Sequence, residues 1–187
     1  LYTYDNSQAE ILGGKIGIAE SLGSSNVTIY GGQIDLAMAE YNSLMTMHGG
    51  KINLDLIACQ DGQIALINGQ IGDDLRAYRN TRVTIIGGKI ADDLRAYYNS
   101  QITISGGQID DDLCAWDNSQ ITLSGGSIGD KLIVDEDGIL TILGSDFAVD
   151  GQPFGYGELT SIFGSCWCSE PRRQLTGILA NGELLAN

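Results

Sequence analysis

The sequence predicts an all-β fold, a parallel β-helix, on three observations: a fixed repeat, a strand-like alternation inside the repeat, and apolar columns that recur only between repeats. The repeat is plainest in QIGDDLRAYRNTRVTIIGG, KIADDLRAYYNSQITISGG and QIDDDLCAWDNSQITLSGG, three successive copies of one unit running from Gln70 to Gly126. The last glycine of each glycine turn, Gly14, Gly32, Gly50, Gly69, Gly88, Gly107 and Gly126, recurs at an almost constant step, with Asn68 in place of the first glycine in one of them. A period of about 18–19 residues is the signature of a solenoid. Within a unit, Ile102-Thr103-Ile104 and Leu94-Arg95-Ala96 alternate apolar with polar residues, the period of a strand. The expected architecture is about 7–8 coils of about 18–19 residues over 1–145, closed by a capping module over 146–187.

Each column has its own physical role. Ile16, Ile34, Ile52, Ile71, Ile90, Ile109 and Ile128 follow the glycine turn, and one isoleucine per coil is buried only if neighbouring coils supply others. Leu56, Leu75, Leu94, Leu113 and Leu132 form a second inner column, and Ala58, Ala77, Ala96 and Ala115 a third. Val27, Ile64, Val83, Ile102 and Ile121 form a fourth. Asn6, Asn42, Asn80, Asn99 and Asn118 occupy a turn column, varied by Asp61 and Asp137; Asn and Asp tolerate left-handed backbone and bond it locally. Three strands and two sharp corners per coil follow, with coils about 4.8 Å apart. The first two complete coils are one residue shorter, so their register after Ile16 and Ile34 is open.

Composition narrows the function. With 43% apolar residues, 26 Gly and only 2 Pro, the chain is expected to fold as one sizeable domain. Ten Lys and Arg against 24 Asp and Glu give a net charge of −14, which repels phosphate backbones and argues against a nucleic-acid partner. No long apolar run predicts insertion into a membrane. His48 is the only histidine, which removes Ser-His-Asp triads and multi-histidine metal sites from consideration.

After Ile128 the period fades, and GSDFAVDGQPFGYGELTSIFGSCWCSEPRRQLTGILANGELLAN reads as a different, turn-rich module. With the repeats before it, this ending resembles bacterial secreted Gly-Gly-repeat parallel β-helix proteins that carry an "LTGxLxNG" C-terminal module, often upstream of a PEP-CTERM sorting tail. The matching residues are Phe147, Val149, Gly151, Gly157, Leu159, Thr160, Leu175, Thr176, Gly177, Leu179 and Gly182. The resemblance implies a secreted or cell-surface location and no defined activity.

Candidate site residues lie between the inner columns. With Leu and Ala pointing inward, alternation sends Asp74, Arg76 and Tyr78, then Asp93, Arg95 and Tyr97, then Asp112, Cys114 and Trp116 outward onto one flat face. Such a face reads as a strip for a glycan or another partner, with rings under sugar rings and Arg and Asp on hydroxyls. It reads equally as side chains stacked in register, with Arg76 and Arg95 neutralising the Asp column. A neighbouring column, Asp73, Asp92, Asp111 and Asp130, is one that a hard cation such as calcium would suit; otherwise no cofactor is expected. Because Asp-Asp-Leu recurs in three coils, it marks structure more than a catalytic cleft, and no catalytic residue is assigned. Cys59 and Cys114 lie too many coils apart to pair, whereas Cys114 with Cys166 or Cys168 is a conceivable bridge if the cap folds back.

The leading expectation is a non-enzymatic extracellular structural or adhesive β-solenoid. Since Leu1 begins in mid-coil, its edge is expected to stack head-to-tail on the C-terminal module of a second copy, a contact that propagates as a filament. The alternative is a carbohydrate-binding module meeting an extracellular polysaccharide, and the third reading is a polysaccharide lyase or hydrolase.

Overall fold

A computed structural model describes residues 1–135, 137–155, 157 and 173–186. Its strands coil into a parallel β-solenoid of about seven turns, about 19 residues per coil, with no helix among the described residues. A middle coil shows the plan: a two-residue strand Gln70–Ile71, a four-residue strand Leu75–Tyr78, and a third strand Arg82–Ile85. Each pairs in parallel with its equivalent one coil away, Leu75 with Leu94 and Val83 with Ile102. Side chains of one type therefore stack in files, and Ile71, Leu75, Ala77, Val83 and Ile85 are all at most 2% exposed. Burying one such isoleucine or leucine contributes roughly 1.5–3 kcal/mol, and the files join in one continuous core.

Three corners close each of the later coils. At the glycine pair the second glycine holds a positive φ, +88° at Gly88, a conformation that a Cβ disfavours. At the Asn corner two consecutive residues are left-handed: Tyr41 and Asn42, Gln60 and Asp61, Arg79 and Asn80, Tyr98 and Asn99, Asp117 and Asn118. After four of these pairs, all but Arg79 and Asn80, the next residue bonds back across the turn, as Ser119 N–H does to Trp116 O at 2.9 Å. Two positive φ values with that bond define a type I′ turn. The residue after the corner pair, Ser43, Thr81, Ser100 or Ser119, is wholly buried, so a polar file runs beside the apolar ones.

The third corner, at Gly72-Asp73-Asp74 and its equivalents, corrects the two-corner expectation. Alternation is reset there, and Asp74 and Leu75 are successive residues that are both buried. In the first coils this corner is missing, because Lys15–Ser21 and Gln33–Glu40 run as unbroken strands. Ile34 pairs with Ile52, whereas Ala37 pairs with Leu56, so the step from coil to coil lengthens by a single position between these two pairs. The extra residue enters between Ile52 and Leu56 and opens the corner. It also settles the early register: Ala19 and Ala37 carry on the leucine file, while Ile18 is 42% exposed on the outside.

The C-terminal residues form a four-stranded antiparallel sheet from Gly144–Val149, Gln152–Pro153, Leu175–Leu179 and Leu184–Ala186. Its Ala180–Glu183 turn sits on the glycine corners of the last coils: Ala180 N–H donates to Leu143 O at 2.8 Å and Asn181 N–H to Ser124 O at 3.0 Å. Glu183 accepts the N–H of Gly126, and Leu179 and Leu185 join the solenoid core.

Candidate functional site

The Asp corner and the Leu75–Tyr78 face beside it assemble most of the residues singled out from the sequence. The outward placement expected for Asp74 and Asp93 is overturned: they are 1% and 7% exposed, because the corner turns them inward. Each inner carboxylate replaces a backbone acceptor of the ladder. The N–H of Asp74 donates to Asp55 Oδ1 at 3.2 Å, that of Asp93 to Asp74 Oδ1 at 3.0 Å, and that of Asp112 to Asp93 Oδ1 at 2.7 Å. The file ends with the N–H of Lys131 on Asp112 Oδ1 at 2.9 Å. A parallel strand pair thus continues across a bend where the main chain alone leaves the N–H without a carbonyl.

The second oxygen of each carboxylate faces a cation. Arg76 spans two coils, with Nη2 2.7 Å from Asp74 Oδ2 and Nη1 2.8 Å from Asp55 Oδ2. Arg95 repeats the span between Asp74 and Asp93, and Lys131 reaches Asp112 at 3.4 Å. Burial pulls the pKa of Arg76 down, but its Asp74 hydrogen bond and the charges of Asp55 and Asp74 more than offset that, and the net shift is upward. Asp55 and Lys131 were not singled out from the sequence. The signal was present, since Asp55 precedes Asp74, and Lys131 follows Asp112, by one full repeat.

Cys114 takes the arginine place in its coil, paired with Arg95, and is 2% exposed instead of outward as alternation suggested. Burial first, then the Asp93 and Asp112 carboxylates, push its thiol up to about 12. Cys59 and Cys114 are free thiols. Cys166 and Cys168, the partners considered for Cys114, lie outside the described residues.

The outer aspartates stand beside the inner ones. Oxygens of Asp74, Asp92 and Asp93 come within 4.8 Å of one another, as do those of Asp55, Asp73 and Asp74 and those of Asp93, Asp111 and Asp112. Burial, then Asp93, Asp74, a hydrogen bond with Asp73, and Asp111 raise the Asp92 carboxyl to about 6. A hard cation needs several of these oxygens, and those of Asp74 and Asp93 already accept from backbone N–H groups and arginines.

One file further along the strand, Tyr78, Tyr97 and Trp116 stack. Ring centroids are 4.9 Å apart at 7° for Tyr78 and Tyr97, and 4.8 Å apart at 32° for Tyr97 and Trp116. The spacing is that of the coils, so register alone brings the rings together. Burial, then Tyr78, drives the Tyr97 hydroxyl up to about 12. Both faces of Tyr97 are covered by neighbours. The same file continues the other way through Cys59 and Glu40, where Cys59 Sγ donates to Glu40 Oε1 at 3.2 Å. Burial, then that bond, raise Cys59 to about 12.

His48, outside these files, is exposed and stacks on Tyr30 with centroids 5.2 Å apart. The chain matches no protein-family model, no curated protein and no solved structure.

Proposed function

We propose that the chain is a structural or adhesive β-solenoid, non-enzymatic and extracellular, that presents its faces as a rigid rod. One observation carries this reading: the groups most able to meet a ligand are directed at one another across coils. Asp55, Asp74 and Asp93 accept from Arg76, Arg95 and successive backbone N–H groups, and Tyr97 is sandwiched between Tyr78 and Trp116. Files of this kind stiffen a rod without needing a partner, and they repeat where a catalytic centre needs unique residues. The location rests on the resemblance of the repeats and the "LTGxLxNG" ending to secreted proteins. Self-association belongs to the same proposal, since any exposed coil edge carries N–H and C=O groups that template a further coil.

Light scattering and negative-stain microscopy of the full chain test it. Rods that join end to end as concentration rises are the expected result. Discrete monomers at every concentration would remove the self-association. Turnover of a pectic or other polysaccharide, with release of reducing ends or unsaturated products, would overturn the non-enzymatic reading.

A further inference from the structure

The aromatic stack stops at Tyr78, and the way it stops makes a site. On one side the Tyr78 ring lies 4.9 Å from Tyr97. On the other its register partner is Cys59, whose side chain is too short to cover a ring and is held to Glu40 on the next coil. The missing ring leaves a groove of about 400 Å³, within the ~300–1,000 Å³ range of small-ligand clefts. Tyr41, on the Asn corner one coil beyond Cys59, and Tyr98, one coil beyond Arg79, stand at its two ends, each about half exposed.

Polar groups converge on the same groove. Glu40, Gln60 and Arg79 line it. We infer that this groove is a subsite for one or two rings of a neutral saccharide, with a pyranose C–H face on the uncovered face of Tyr78 and ring hydroxyls shared among Glu40, Gln60 and Arg79. The ligand class follows from the lining. A flat aromatic face asks for a flat apolar one, the mixed carboxylate, amide and guanidinium set asks for hydroxyls that both donate and accept, and a net charge of −14 disfavours an anionic sugar. The subsite is independent of the rod proposal: it occupies one break in the file, where that proposal concerns the unbroken part.

Saturation-transfer NMR with the full chain and millimolar cellobiose, maltose or lactose tests it, with tyrosine fluorescence as a second readout. At least one disaccharide is expected to receive saturation at its ring C–H protons. Cys59→Tyr, which extends the stack by one ring and fills the groove, is expected to weaken binding by about tenfold or more. Trp116→Leu, at the far end of the stack, is expected to leave it unchanged. Circular dichroism checks the fold of each variant. If Cys59→Tyr fails to fold, Tyr78→Leu and Glu40→Gln replace it, and retained binding in both overturns the inference. It is equally overturned by the absence of saturation for every disaccharide, by unchanged binding in folded Cys59→Tyr, or by binding of indole and aromatic peptides in place of sugars.

Discussion

The backbone N–H of Asp93 donates to the carboxylate of Asp74, one coil away, at 3.0 Å, while the other oxygen of Asp74 faces Arg76 and Arg95. One buried side chain thus completes a backbone ladder and balances two guanidinium groups. Asp74→Ala removes all of these partners at once, and is expected to lower stability by about 3–5 kcal/mol. Asp74→Asn keeps an oxygen for the Asp93 N–H but puts an amide NH2 where the carboxylate oxygen accepts from Arg76 and Arg95, so its cost is expected to be smaller than that of the alanine variant by about the 1 kcal/mol of the retained backbone bond. Urea midpoints of the two variants check the order; equal costs would mean that the backbone bond adds nothing to the charge balance.

Asp92 stands among Asp73, Asp74, Asp93 and Asp111, and its carboxyl is raised from 3.8 to about 6. An acid whose pKa is higher in the folded state binds more protons there than in the unfolded chain. Its stabilising effect is therefore complete below about pH 4 and is lost as pH rises through about 6. Asp92→Asn is expected to flatten stability across that window and to raise it at neutral pH by about 1 kcal/mol, after allowance for solvent screening at a partly exposed site. Thermal melts of both proteins from acid to neutral pH decide it: parallel curves would show that Asp92 titrates normally.

The period and the core files were legible because each coil can bury its apolar residues only against identical neighbours. Ile71, Leu75, Ala77 and Val83 needed nothing but spacing. The Asp corner was not legible, since alternation was carried straight through Gly72-Asp73-Asp74, and that rule holds only within a strand. In the first coils, where the register after Ile16 is open, spacing alone does not choose between Ile18 and Ala19 for the core. Only the position of the inserted residue, between Ile52 and Leu56, decides which of them faces in, and a one-residue shift exchanges the two faces. The file of Ser43, Thr81, Ser100 and Ser119 was present in the sequence, but small polar residues after Asn read as ordinary turn chemistry.

At the Asn corner, Asn99 holds φ at +60° behind Tyr98 at +51°, and its side chain is exposed, so substitution there reports on the backbone with little packing. Asn99→Val is expected to cost about 1–2 kcal/mol, the penalty of a β-branched residue in left-handed conformation. Asn99→Gly is expected to stay within about 0.5 kcal/mol of the parent, because glycine suits this position of a type I′ turn. Chemical denaturation of both variants checks the contrast. A tolerated valine would mean that the corner relaxes to another turn type.

The buried hydroxyls beside these corners are not equivalent. Ser43 Oγ donates to Ser21 O at 2.8 Å, whereas Ser100 Oγ has no partner among the described residues, although both residues are wholly buried. Removing a bonded hydroxyl loses the bond and leaves a carbonyl short of a donor, while removing an unbonded one also removes a desolvation penalty. Ser43→Ala is therefore expected to destabilise by about 1 kcal/mol, and Ser100→Ala to be neutral or stabilising by a similar amount. Melting temperatures of the two variants separate the cases. A loss at Ser100 as large as that at Ser43 would show that its hydroxyl is bonded in solution.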